Sequence, residues 1–380
     1  MKQSRKLFEE VSDSNSKATS EKKSQPGPFE KPVSNLAIRI FLCILFALVL
    51  GMILLGGATR QTDSGLSMTE WHPVTGFIPP LSEETWNEEF RKYQETSEYK
   101  LVNKSMQLAD FKQIYWWEWW HRQLGRMLGL VFILGFGILA ISRKIDRRWA
   151  KRLLVLGGLG LLQGVIGWWM VRSGLTGNAV DVVSYRLAIH LVLSFFILLL
   201  ISWQFSLTYY LPHELYQARR VRIRELENLS LIFICLIFLQ SIFGALVAGI
   251  DAGLGFPTWP LMNGEFLPSN SFEYTPWISN FLENSSLVHF NHRMMAYLLI
   301  IPTVWIWLKC RKSPHARLKL LGNAGAILVF VQICLGILTV LYSVPFLLAL
   351  GHQITAVLLI VLYTQILFRS RYPGQINFRG

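Results

Sequence analysis

Along the 380 residues, apolar runs alternate with polar connections. Eight apolar stretches lie near 36–58, 119–142, 153–171, 185–210, 229–249, 288–308, 318–342 and 345–368. Each is long enough to cross a hydrocarbon layer of about 30 Å, which takes roughly 20 helical residues. The pattern predicts an all-α polytopic membrane protein with eight transmembrane helices.

The pattern also occurs twice. "DSGLSMTEW" (63–71) follows the first run, and "DAGLGFPTW" (251–259) follows the fifth. His121-Arg122 opens the second run and His292-Arg293 the sixth. "QGVIG" (163–167) lies in the third and "QICLG" (332–336) in the seventh, while His190 and His352 lie near the start of the fourth and eighth. Four spans recur in the same order and orientation, so two pseudo-symmetric four-helix bundles related by an axis along the membrane normal are expected. Parallel repeats also occur in transporters, so the symmetry alone does not define an enzyme. The boundaries read as a disordered tail over 1–35, a first bundle over 36–210, an inner linker over 211–228, a second bundle over 229–368 and a tail over 369–380. Connection lengths break the symmetry. The outer segment 59–117 is long and acidic, its counterpart at about 250–287 is shorter, and long ordered connections are usually functional. A cap over the first bundle is the natural reading.

Composition agrees with a membrane protein: 52% of residues are apolar, 16% are charged, and mean hydropathy is +0.36. A net charge of +13 would suit nucleic acid, but its distribution argues against that. Most Lys and Arg sit in the N-terminal tail, the C-terminus and three alternate linkers, "RKIDRRWAKR", "RRVRIR" and "KCRKSPHARLK". Such a bias sets orientation, with both termini in the cytoplasm or matrix and a membrane lipid surface beside them. Acidic residues in the first 35 positions oppose a mitochondrial transit peptide, so a bacterial inner membrane is expected. Cys43, Cys235, Cys310 and Cys334 are widely spaced within or at the ends of apolar runs, which indicates neither a disulfide framework nor a zinc site.

Histidine carries the candidate chemistry. His72, His213 and His315 lie in connections, whereas His121, His190, His292 and His352 each fall in the first turns of an even-numbered span. All four would share one depth near the outer leaflet. One such imidazole is readily explained as a helix–helix hydrogen bond; four at repeat-related positions are not, and intramembrane ionisable residues mark function. Haem iron accepts axial imidazoles from facing helices of a bundle, whereas zinc wants three or four ligands converging on one point. One histidine pair per bundle therefore suggests two haems. Arg60, Arg122, Arg172, Arg186 and Arg293 are available to haem propionates on the outer side, and Arg126 lies deeper.

"YWWEWWHRQLGR" (115–126) adds a carboxylate to one site. Glu118 precedes His121 by three residues and so shares its helix face, and as a residue at a helix N-terminus it would sit in a favourable dipole. The corresponding residue before His292 is His289. This asymmetry suggests one haem that is worked upon and one that is retained. A di-haem b electron-transfer cytochrome, in which both haems are permanent, is the alternative reading of the four histidines.

The residues "GGATRQTDSGLSMTEWHP", "EEFRKYQ" and "EWWHRQLGR" resemble the haem A synthase family, in its mitochondrial and alphaproteobacterial branch, and the match spans roughly 40–368 in both halves. The resemblance implies an oxidoreductase of haem A biosynthesis. It would oxidise the C8 methyl group of haem O to a formyl group by two successive hydroxylations, serving cytochrome oxidase assembly. It implies Glu118 as the catalytic residue, His121 and His190 as ligands of the substrate haem iron, and Arg60, Arg122 and Arg126 beside that haem. His292 and His352 would ligate a haem b cofactor, with Arg293 next to it. His289 competes with His292 for this role, and His292 is preferred because it aligns with His121 and precedes an arginine. The cysteine pair that some bacterial relatives carry in the first outer loop is absent here. A haem O synthase, an electron donor and a second copy of the chain are the expected partners.

Overall fold

The computed structural model describes residues 35–72 and 75–374. The expected N-terminal tail up to residue 34 and the last six residues of the C-terminal tail lie outside the described residues. The elements are α1 (Asn35–Gln61), α2 (Glu83–Gln94), α3 (Ser97–Leu101), α4 (Leu108–Ile141), α5 (Arg147–Gly174), α6 (Ser184–Leu207) and α7 (Pro212–Arg220). They continue with α8 (Arg224–Gly249), α9 (Ala252–Gly255), α10 (Asn280–Glu283), α11 (Ser285–Leu298), α12 (Ile300–Lys312), α13 (Ala316–Leu341) and α14 (Phe346–Arg371). Among the described residues, eight spans are long and apolar enough to cross a membrane: α1, α4, α5, α6, α8, α11 with α12, α13 and α14. Among the described residues there is no strand, only an isolated bridge between Met262 and Glu265.

Two spans differ instructively from the hydropathy reading. α4 starts at Leu108, eleven residues before the expected 119. The added turns are aromatic and charged, so an apolar window passes over them. Phe111, Tyr115 and Trp119 on their inner face pack with Trp86 and Tyr93 of α2, and the Asp110 carboxylate accepts from the Gln107 N–H at 3.1 Å. With 34 residues at about 1.5 Å each, α4 is near 51 Å long, well beyond the hydrocarbon layer. Glu118 is therefore about three turns inside a helix and not at its N-terminus, and the dipole argument for it fails because that effect is confined to the first turn. The sixth span breaks between α11 and α12 at Leu299. Pro302 has no N–H for the Leu298 carbonyl and its ring crowds that turn.

Helix contacts close two rings in the same order. α1 packs on α4, α4 on α5, α5 on α6 and α6 on α1; α8 packs on α11 and α12, α12 on α13, α13 on α14 and α14 on α8. The rings meet along α6·α8, α1·α14 and α6·α14, an arrangement compatible with the expected pseudo-symmetric bundles. Phe195, Leu198 and Ile201 of α6 share the main core with Phe233, Val357, Ile360 and Tyr363. A polar clasp crosses the same seam: Gln365 donates to Ser202 Oγ at 2.9 Å and accepts from Ser206 Oγ at 3.0 Å. α4, α5 and α13 leave most of their apolar surface uncovered, as lipid-facing helices do.

The outer connection between α1 and α4 is ordered by its own core. Tyr93 and Phe111 rings stack at 5.3 Å, and Trp86 meets Tyr115 edge-on at 5.0 Å. α2 is capped by Ser82, whose hydroxyl accepts from the Thr85 N–H at 3.2 Å, a cap that stabilises the first turn. This small domain sits on the protruding end of α4.

Candidate functional site

All four repeat-related imidazoles rest against a glycine of the neighbouring span. A Cβ on Gly56 (α1) would lie 3.1 Å from His121 Nε2, and one on Gly167 (α5) 2.8 Å from His190 Cε1. The corresponding distances are 2.9 Å from Gly244 (α8) to His292 Cε1 and 3.0 Å from Gly336 (α13) to His352 Cε1. Only a residue without a side chain lets the ring approach the partner helix this closely. Three of the four glycines follow a glutamine by one turn. Gln163 donates to the His190 carbonyl at 2.8 Å, Gln240 to the His292 carbonyl at 3.1 Å, and the Gln332 amide nitrogen lies 3.1 Å from His352 Nε2. "QGVIG" and "QICLG" contained this signal; the recurrence in "QSIFG" (240–244) and the role of the glycines went unread until the helices were packed.

The second pair has the spacing that a haem held between two imidazoles needs. The His292 and His352 rings have centroids 6.3 Å apart. Two imidazoles bound to one metal at about 2 Å each, on opposite sides, place their centroids about 6 Å apart. Buried polar atoms are left over at matching places: Nδ1 of His190, His292 and His352, and Oε1 of Gln163, Gln240 and Gln332, have no hydrogen-bond partner among the described residues. His121 and His190 hold the corresponding places in the first ring, against Gly56 and Gly167. His289 is placed differently from His292. It is buried, its Nε2 accepts from Arg293 Nε at 3.2 Å, and its ring lies edge-on to Phe256, so His292 and not His289 faces His352.

Glu118 is buried and both of its carboxylate oxygens are engaged. Oε1 pairs with Arg122 Nη2 at 2.6 Å; Oε2 accepts from Ser67 Oγ at 2.7 Å and from the Met68 N–H at 2.8 Å. Arg122 then donates to the Met68 carbonyl at 2.8 Å and the Glu70 carbonyl at 2.7 Å. The pair clamps the "DSGLSMTEW" segment onto α4, one turn above His121. The second half repeats the device: Arg293 donates to the carbonyl of Phe256, the residue aligned with Met68, at 3.0 Å. There His289 takes the place of the carboxylate.

The other expected arginines also have protein partners. Arg60 bridges Asp63 at 2.6 Å and Asp251 at 2.7 Å, the two aspartates that open the repeated loop motif. Both aspartates adopt left-handed backbone, with φ of 46° and 51°, at the ends of α1 and α8. Arg126 donates to Gln123 Oε1 and to the His72 carbonyl, each at 2.9 Å. Arg186 and Arg172 stack over Trp169 and Trp168, at 4.2 and 5.3 Å. The structure thus brings Glu118 and Arg122 together one turn from His121, ties Arg126 to Gln123 and His72, and places Arg60 at the seam between the two loop motifs. Ser67 is a partner that sequence reading missed, since only the folded loop carries it to Glu118. The cap reaches the next outer loop as well, where Ser97 Oγ donates to the Gly177 carbonyl at 2.8 Å. Close by, Glu98 is buried and its Oε2 has no partner among the described residues. Burial first, and then the nearby Asp181 charge, push its carboxyl up to about 8.

A bundle of membrane-spanning helices that presents paired imidazoles in glycine seats is the architecture of an integral-membrane haem protein. The comparisons sharpen this. A family model described as COX15-CtaA, cytochrome oxidase assembly protein, matches residues 39–364, and the chain belongs to that family. It is 48% identical over 383 aligned positions to the heme A synthase of Dinoroseobacter shibae, covering 100% of this chain and 99% of the relative. It is 47% identical to the heme A synthase of Ruegeria pomeroyi, with both chains fully covered over 384 positions. Against that of Paracoccus denitrificans the identity is 48% over 344 positions, 90% of each chain.

Proposed function

We propose that this chain oxidises the C8 methyl group of haem O to a formyl group, giving haem A for terminal cytochrome oxidase. The observation that carries the reading is the set of four glycine-seated imidazoles in two repeat-related pairs, in a chain similar along its length to haem A synthases. Two successive hydroxylations convert the methyl group to an alcohol and then a geminal diol, which loses water to give the aldehyde.

In this reading the first bundle, 36–210 with its outer segment 59–117, takes the substrate haem on His121 and His190. The second bundle, 229–368, holds haem b on His292 and His352. When bound, haem b supplies one-electron redox chemistry. Glu118 supplies the carboxylate beside the reacting edge, where it accepts protons or stabilises positive charge developing on the oxidised carbon. Arg122 and Arg126 serve the substrate side by holding residues 68–72 on α4 beside His121, and Arg60 by tying the two loop motifs together. Arg293 orients the corresponding loop over the haem b site. The basic linkers face the cytoplasm of a bacterial cell, which puts the histidines towards the outer side. A haem O synthase delivers the substrate, and an electron-transfer partner and a second copy of the chain complete the assembly.

The test is the identity of porphyrins extracted from protein co-produced with a haem O synthase. Haem A and its hydroxylated precursor should accompany haem b. Alanine at His292 or His352 should remove haem b, and alanine at His121 or His190 should affect the substrate haem. Haem b alone in the wild type, lost equally in all four variants, would leave a di-haem cytochrome.

A further inference from the structure

The four seats are not equivalent. In three, the residue one turn before the glycine is a glutamine that bonds the histidine facing it: Gln163 with His190, Gln240 with His292, and Gln332 with His352. In the fourth, the residue one turn before Gly56 is Met52. Its side chain packs on α4 beside His121: a Cβ on Gly125, one turn after His121, would lie 3.5 Å from Met52 Cε and 3.9 Å from Sδ. A thioether has no proton to donate. The ring lies differently too. At Gly56 the nearest imidazole atom is Nε2, whereas at the other three glycines it is Cε1. His121 thus lacks the glutamine that its three repeat-related counterparts share, which binds the main-chain carbonyl of His190 and of His292 and the ring of His352, and its imidazole has turned in its seat.

We infer that the Met52–Gly56 seat makes His121 the exchangeable ligand of the substrate haem, the imidazole that releases so that haem O enters and haem A leaves. The three glutamine seats pin the helix turn or the ring of the histidine they face, and so hold those ligands against the neighbouring span. Met52 acts here as a positioning residue through what it does not bond. The inference rests on the reading that His121 and His190 take the substrate haem. It accounts for a division of labour that the histidines alone leave unexplained: a protein with four similar ligands must retain one haem and turn over the other. His190 keeps its glutamine, so release at His121 opens one face of the site and leaves the second ligand to guide the incoming haem. A polar contact between membrane helices is worth roughly 0.6–1.4 kcal/mol, about three- to tenfold in a rate or equilibrium.

The experiment uses full-length protein purified with its haems and mixed with excess apomyoglobin as haem acceptor. Loss of haem is followed optically and the departing porphyrin is identified by its pyridine haemochrome. Wild-type protein should give a fast fraction of haem O or haem A and a slow fraction of haem b. Met52→Gln should slow the fast fraction about three- to tenfold and strengthen its low-spin bis-imidazole spectrum, with haem b release unchanged. The reciprocal Gln240→Met should speed haem b release by a similar factor, so a poorly accumulating Met52→Gln protein does not leave the question open. A fast fraction that keeps its rate in Met52→Gln, or haem b release that keeps its rate in Gln240→Met, overturns the exchange role. His121→Ala separates the two levels of inference. If the fast fraction persists unchanged without His121, the assignment of the substrate haem to that ligand is itself wrong.

Discussion

Replacing Glu118 with glutamine changes one atom, yet the surroundings make it a severe test of the clamp. The carboxylate meets Arg122 at 2.6 Å with one oxygen, and Ser67 and the Met68 N–H at 2.7 and 2.8 Å with the other. An amide has a single oxygen. If it stays with Ser67 and Met68, its N–H2 faces Arg122 donor to donor; if it turns to Arg122, its N–H2 faces the Met68 N–H, and Ser67 Oγ has to reverse from donor to acceptor. The two side chains are only 4% and 8% exposed, so solvent cannot replace the missing partner. Breaking a buried pair costs about 3–5 kcal/mol. Arg122 retains the Met68 and Glu70 carbonyls, which places the expected cost near the lower bound, about 3 kcal/mol. The assay is thermal unfolding of the purified variant in detergent, combined with trypsin cleavage at Arg91 and Lys92 in α2, which reports whether the cap still sits on α4. Earlier unfolding with faster cleavage is expected. A variant as stable and as protease-resistant as the wild type would refute the clamp. Haem A formed per folded molecule then isolates the chemical role: a normal yield from the folded fraction would leave Glu118 as an anchor alone.

On α5, Gly167→Ala places a methyl group 2.8 Å from His190, and overpacking of this kind costs about 1–3 kcal/mol, so binding of the substrate haem should weaken. Gly164→Ala on the same helix meets open space and should be neutral or gain up to about 1 kcal/mol of helix propensity; optical haem titration and unfolding of both variants distinguish seat from scaffold. Glu98, pushed up to about 8 from an ordinary 4.5, binds its proton more tightly in the folded cap than in the unfolded chain. Its stabilising contribution is therefore complete below about pH 4.5 and is lost as pH rises through about 8; unfolding midpoints at pH 5 and pH 8.5 should differ in that sense, and Glu98→Gln should flatten the profile. For orientation, an alkaline phosphatase fused after residue 148 should be inactive and one fused after residue 180 active, and the reverse result would invert the membrane placement of the histidines.

The eight spans and the twofold repeat were legible in the sequence because hydrocarbon is a uniform solvent. It demands long apolar runs, and a repeated motif in matching positions survives as letters. The four histidines were legible for a related reason, since an ionisable side chain inside such a run stands out against its neighbours. The aromatic turns of α4 were not, because Phe111, Tyr115 and Trp119 are buried by α2 and not by lipid, and hydropathy does not register a partner that arrives from 25 residues upstream. The same holds for the site. Sequence spacing placed Glu118 one turn from His121 but misjudged it as a helix N-terminus, and Ser67 entered only when the loop folded back onto α4. That Arg60 reaches Asp251 was not legible either, because only the seam between the rings brings the two together. The glycines and glutamines of the seats lie on different helices from the histidines they hold, so their meaning depends on which spans touch. A single chain pattern specifies which face of a helix is polar; only packing decides what that face meets.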